Sequence, residues 1–76
     1  MGPGALALLA EIDLATRVVV RYLIDGGATD VLGYLRARTL TDITIESRRG
    51  MEKVPVGAII AARVIPEPPS PRAPRR

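Results

Sequence analysis

"TRVVVRYLIDGGATDVLGYL", Thr16 to Leu35, reads as two strands joined by a glycine-rich connection. Side chains on a strand alternate between faces, so Val18, Val20 and Tyr22 share one side while Arg17, Val19 and Arg21 share the other. The arginines mark the outer face, where their stems cover Val19 and their heads stay in water. "DGGATD", Asp25 to Asp30, supplies the positive-φ positions and side-chain acceptors that a loop requires. In the second run Val31 and Leu35 face inward, with Arg36 and Arg38 near the surface. Gly33 in its middle marks a bulge or sharp bend, which lets a small sheet curl over on itself.

Further runs follow on the C-terminal side. "TLTD" makes a turn, and "ITIESR" places Ile43 and Ile45 inward with Thr44, Glu46 and Arg48 outward. "RRG" turns tightly into "MEKVPV", where Val54 faces in and Pro55 ends the pairing because it has no N–H to donate. "VGA" fits one helical turn, and "IIAARVI" is a last strand that stops at Pro66. Five short runs at roughly ten-residue spacing predict a mainly β fold, a small five-stranded barrel of SH3 type spanning residues 16–66. Ahead of it, within residues 1–15, the alanines and leucines of residues 5–14 predict a short helix with Leu8 and Ile12 stacked at i, i+4. A helix of that length is marginal alone and needs a surface to lie against. Residues 67–76 close a segment, "PEPPSPRAPRR", with five prolines in eleven residues and no apolar period. It reads as an extended linker or tail.

With 76 residues the chain forms one domain at most, and its core is small and aliphatic: Tyr22 and Tyr34 are its only aromatic residues. There is no cysteine or histidine, so no disulfide, thiolate or histidine metal site is expected, and no cofactor. The opening "MGPGALALLAEIDLA" lacks a basic leader, and Glu11 and Asp13 interrupt its apolar run, which argues against a signal peptide or a membrane partner. The expected location is cytoplasmic. The formal charge is +3, but residues 1–65 carry eight Lys and Arg against seven Asp and Glu. Most of the excess lies in the tail, so binding to nucleic acid is expected to be weak at most.

Candidate chemistry is sparse. Nucleophilic catalysis without His or Cys leaves only lysine or carboxylate bases, and Lys53, the one lysine, falls on an outer strand face. No catalytic residue is assigned. Asp25 and Asp30 flank the first loop as turn formers rather than cation ligands. "DGG", Asp25 to Gly27, has neither spacing of a phosphate-binding loop and no helix after it. The two tyrosines are too few for an aromatic groove that reads proline-rich ligands. What remains is an interaction surface made from Arg17, Arg21, Arg36, Arg38 and the paired Arg48 and Arg49 of "SRRG".

From Arg17 to Pro66 the chain resembles the SH3-like barrel at the N-terminus of a group of bacterial GNAT-family N-acetyltransferases. The resemblance is carried by "RVVVRY" at 17–22, "TDVLGYL" at 29–35 with its bending glycine, "ITIESRRG" at 43–50 and "VPVGAIIAARVIP" at 54–66. It implies a non-catalytic accessory domain followed by a Pro/Arg-rich segment that leads into the acetyltransferase domain, its partner in cis or in trans. The family's glycine-rich loop for coenzyme A has no counterpart here, since "RRGM" at 48–51 has a different spacing and opens a strand. No catalytic or cofactor residue is therefore carried over, and this chain alone is not expected to be an enzyme. Two alternatives from other classes stand beside this reading: a small nucleic-acid-binding barrel using Arg17, Arg21, Arg36, Arg38 and the tail, and a homo-oligomer that assembles through the leucine-rich helix.

Overall fold

A computed structural model describes residues 3–66 of the chain. The Pro/Arg-rich tail reading, from residue 67 onward, lies outside the described residues. Helix α1 (Pro3–Glu11) precedes five strands, β1 (Arg17–Ile24), β2 (Gly27–Arg38), β3 (Asp42–Ser47), β4 (Gly50–Pro55) and β5 (Ile59–Val64). A single 3-10 turn, Val56–Ala58, separates the last two, where "VGA" predicts it. The strands form one antiparallel sheet in the order β4-β3-β2-β1-β5.

The alternation read from the sequence sets the inner face of β1 to β4, and Ile59 of β5 joins it. Val18 and Val20 of β1, Val31 and Leu35 of β2, Ile43 and Ile45 of β3, Val54 of β4 and Ile59 of β5 are all buried in one aliphatic cluster. A chain this short has little apolar area to hide, so each strand must contribute to the same core. The sheet therefore coils. Strands β1 and β4 stand three positions apart in it, which would separate them by about 14 Å in a flat sheet. Yet the Tyr22 hydroxyl on β1 donates to Glu52 Oε1 on β4 at 3.4 Å. No pairing joins β4 to β5 among the described residues, so the sheet curls without closing its hydrogen-bond ladder.

Gly33 has a different cause from the one its sequence suggests. The register slip that marks a bulge in β2 falls between Leu35 and Ala37, not at Gly33. Gly33 lies on the inner face between Val18 and Ser47, and a Cβ there would overlap the Glu46 carbonyl oxygen of β3. It would also stand 2.7 Å from the Glu46 carbonyl carbon and 2.9 Å from Ile45 Cγ2. The glycine serves close approach of two backbones.

The first loop and the helix are also shorter than the sequence predicts. Ile24 pairs with Gly27, so "DGGATD" contributes only Asp25 and Gly26 to the turn, with Gly26 at φ 85°, and Ala28 to Asp30 belong to β2. The helix ends at Glu11 rather than residue 14, because the chain must reverse into β1. Thr16 donates to the Asp13 carbonyl from its hydroxyl (2.5 Å) and its N–H (3.2 Å), and Ala15 takes φ 75°. Ala5 and Leu9 are the helix residues fully buried in the core, with Leu6 and Ile12 packed beside them. Leu8, expected to stack with Ile12 at i, i+4, is only half-buried.

Candidate functional site: a groove beside the first hairpin

β2 is twelve residues long and β3 six, and this mismatch builds the site. β3 pairs with β2 only from Gly33 to Arg38, after which Ser47 leads into the Arg48–Arg49 turn. Beyond that point the β1–β2 hairpin projects alone, braced by β5 no further than Tyr22. The step between hairpin and turn is an open groove of about 920 Å³. Tyr22, Ile24 and Thr29 line it from the hairpin, Arg48 and Arg49 from the turn, and Glu52 from β4. Arg17, Leu32, Tyr34, Arg36 and Glu46 extend its rim across the outer face.

The arginines assigned to an interaction surface by sequence separate into two groups. Arg21 is held by Asp30, Nε to Oδ1 at 3.0 Å and a second guanidinium nitrogen to Oδ2 at 3.4 Å. Arg36 Nε donates to Glu46 Oε1 at 2.6 Å, and its guanidinium carbon sits 5.4 Å from the centre of the Tyr34 ring. Arg17 donates to the Pro66 carbonyl at 3.1 Å. Arg38 is turned to the opposite end of the molecule, where one guanidinium nitrogen donates to the carbonyls of Leu9 at 3.1 Å and Ile12 at 2.5 Å. It is a cap for the last turn of α1, where orphan carbonyls and the negative end of the helix dipole favour a cation. Of these six arginines, only Arg48 and Arg49 have side chains with no hydrogen bond or ion pair among the described residues, and both are exposed. Thus Arg17, Arg36, Arg48 and Arg49 meet at the groove, while Arg21 and Arg38 do not.

Sequence reading missed Tyr22, Ile24, Leu32 and Glu52 as groove residues. Glu52 carried the signal: it pairs with Ile45, an inward position, so an acid there must sit at the mouth of the curl and find a donor. Burial, the negative charge of Glu52 and the hydrogen bond to it hold the Tyr22 hydroxyl above the usual tyrosine pKa, and Arg49 pulls weakly the other way. Asp25 and Asp30 do not converge, since Asp30 is taken by Arg21 and Asp25 stands at the hairpin tip. No group of three potential metal ligands occurs among the described residues, and no helix among them is long and apolar enough to cross a membrane.

Comparison with known proteins returns no matching family model, no matching curated protein and no matching solved structure. The findings define the chain as a small five-stranded antiparallel β domain with an N-terminal helix.

Proposed function

We propose that the chain is a non-catalytic, SH3-like interaction domain that works beside a GNAT-type N-acetyltransferase domain, in cis or in trans. One observation carries this reading. The stretches that resemble the family coincide with structural units: "RVVVRY" with the first six residues of β1, "TDVLGYL" with the middle of β2 around the close-approach glycine, and "ITIESRRG" with β3 and its turn. "VPVGAIIAARVIP" in turn runs from the end of β4 through the 3-10 turn to the end of β5. The sheet's curl, with a core drawn from every strand, supports the barrel-like architecture that the resemblance implies.

The charge arrangement favours a protein surface over a phosphate-tracking one. Arg21 and Arg36 are both paired to carboxylates on the outer face, and Arg38 is committed to the helix, which removes three of the four arginines that a nucleic-acid footprint of Arg17, Arg21, Arg36 and Arg38 requires. The experiment is to read the coding frame beyond Arg76 and to titrate acetyl-CoA into both the isolated chain and the extended protein. A GNAT domain in the frame or in a co-purifying partner is the expected outcome, with acetyl-CoA bound only when that domain is present. Micromolar acetyl-CoA binding by the isolated chain overturns the proposal.

A further inference from the structure

Three stretches of strand edge longer than two residues lack a backbone partner among the described residues, and they are not alike. The outer edge of β4 carries Lys53 and Pro55, the residue types that discourage strand addition. β5 is packed against α1. The third stretch is Gly27–Leu32 of β2, on the side where β3 has already turned away. It is six residues, about 20 Å of extended chain, with no lysine, no proline and no slip in its pairing to β1. In an antiparallel pair, alternate residues direct their N–H and C=O away from the partner strand, so about three residues of this stretch offer both to solvent. Gly27, Ala28, Asp30 and Leu32 are exposed.

The surroundings of this edge select an occupant. At its Gly33 end stand the two unpartnered arginines, Arg48 and Arg49, in the turn that ends β3. Flanking it are exposed apolar side chains, Ile24 at 51% and Leu32 at 45%, on opposite faces of the hairpin. An edge that supplies backbone pairing, apolar cover on both faces and a cationic end fits one kind of ligand. We infer that the groove binds an extended peptide segment of a partner protein, which adds as a strand along Gly27–Leu32 in line with β3. The added strand runs antiparallel to β2, with acidic residues at its N-terminal end beside Arg48 and Arg49 and apolar residues over Leu32 and Ile24. This deepens the interaction-domain reading and rests on it, but not on the link to an acetyltransferase.

The test uses the full chain and two acetylated hexapeptides that share an alternating valine and threonine run. One begins with glutamate and aspartate, the other with two lysines. Backbone amide exchange followed by NMR should show the acidic peptide slowing alternate amides within Gly27–Leu32, with saturable binding, while the basic peptide does not bind. The double variant Arg48→Glu/Arg49→Glu removes no intramolecular bond of either side chain, so its circular dichroism should match the parent. Its affinity for the acidic peptide should fall at least tenfold, and it should acquire binding to the basic one. Absence of saturable binding at millimolar peptide overturns the inference, as does binding that leaves the Gly27–Leu32 amides unprotected. So does protection that grows with protein concentration in the absence of peptide alongside a dimer in light scattering, because the occupant is then a second copy of the chain. The coding frame beyond Arg76 is unaffected by any of these outcomes, so failure here is distinct from failure of the acetyltransferase link.

Discussion

Two single positions carry backbone demands that their side chains, or lack of one, must meet. At Gly33 the obstacle is the β3 main chain, which cannot retreat without loosening the β2–β3 ladder on which Leu35 and Ile45 depend. Gly33→Ala should therefore cost about 1–3 kcal/mol in urea unfolding and Gly33→Val more, as overpacking against a rigid neighbour does. Gly57→Ala is the matched control: a Cβ there meets nothing within 4 Å, so its stability should stay within about 0.5 kcal/mol of the parent. Equal losses at the two positions would refute the close-approach account. Ala15 presents the reverse case. Its φ of 75° is a conformation that costs an L-residue roughly 1 kcal/mol and that glycine adopts freely. Ala15→Gly should raise stability by up to about 1 kcal/mol, the gain being limited by glycine's larger unfolded-state entropy. A clear loss would mean that the methyl group makes a contact worth more than the strain it imposes.

At the scale of elements, the strands were legible and the way they meet was not. A period of two fixes which side of each strand is apolar, so the seven buried aliphatic residues of β1 to β4, from Val18 to Val54, follow from pattern alone, and Pro55 and Pro66 bracket the final turn and strand. The last strand, "IIAARV", does not alternate, and its pattern leaves open which side Ile59 takes. Pattern does not fix how far a strand continues. The connection at Asp25–Gly26 could be read as six residues because Ala28, Thr29 and Asp30 suit a loop as well as a strand, and the projecting hairpin and its groove were hidden in that ambiguity. The arginines illustrate the same limit, since outward position says nothing of a partner supplied by another element. Arg38 is the clearest instance, being a β2 residue whose function is to end α1. The helix has no basic residue in its own last turn and is only nine residues long, so this distant cap and the burial of Ala5 and Leu9 hold it. Arg38→Met, which keeps the apolar stem, should cost about 1–2 kcal/mol and speed amide exchange in α1 ahead of the sheet. Uniform acceleration across both would show that helix and sheet open as a single unit.

For the whole molecule, the question is what keeps a sheet without a closing ladder curled. The aliphatic cluster provides most of the attraction, but one polar contact spans the sheet from β1 to β4, the bond from Tyr22 to Glu52 at the groove mouth. Its pH dependence follows from the direction of the Tyr22 shift. The hydroxyl is held above its ordinary pKa of about 10, chiefly by burial and then by Glu52, so the folded chain retains this proton at a pH where the unfolded chain has begun to lose it. Where the folded state binds more protons, the free energy of unfolding falls as pH rises. The stabilisation from Tyr22 is thus complete below about pH 10 and is lost as pH climbs through the unfolded value toward the folded one. Urea unfolding at a series of pH values from 8 to about 11 should show this decline, and Tyr22→Phe should flatten it, the remaining slope belonging to the other titrating groups. The variant also removes the donor to Glu52, so near pH 8 it should be less stable than the parent by about 1 kcal/mol, and the two curves should converge with increasing alkalinity. Parallel curves would show that Tyr22 feels the same surroundings folded and unfolded, and that the curl is held by the aliphatic core without help from its polar mouth.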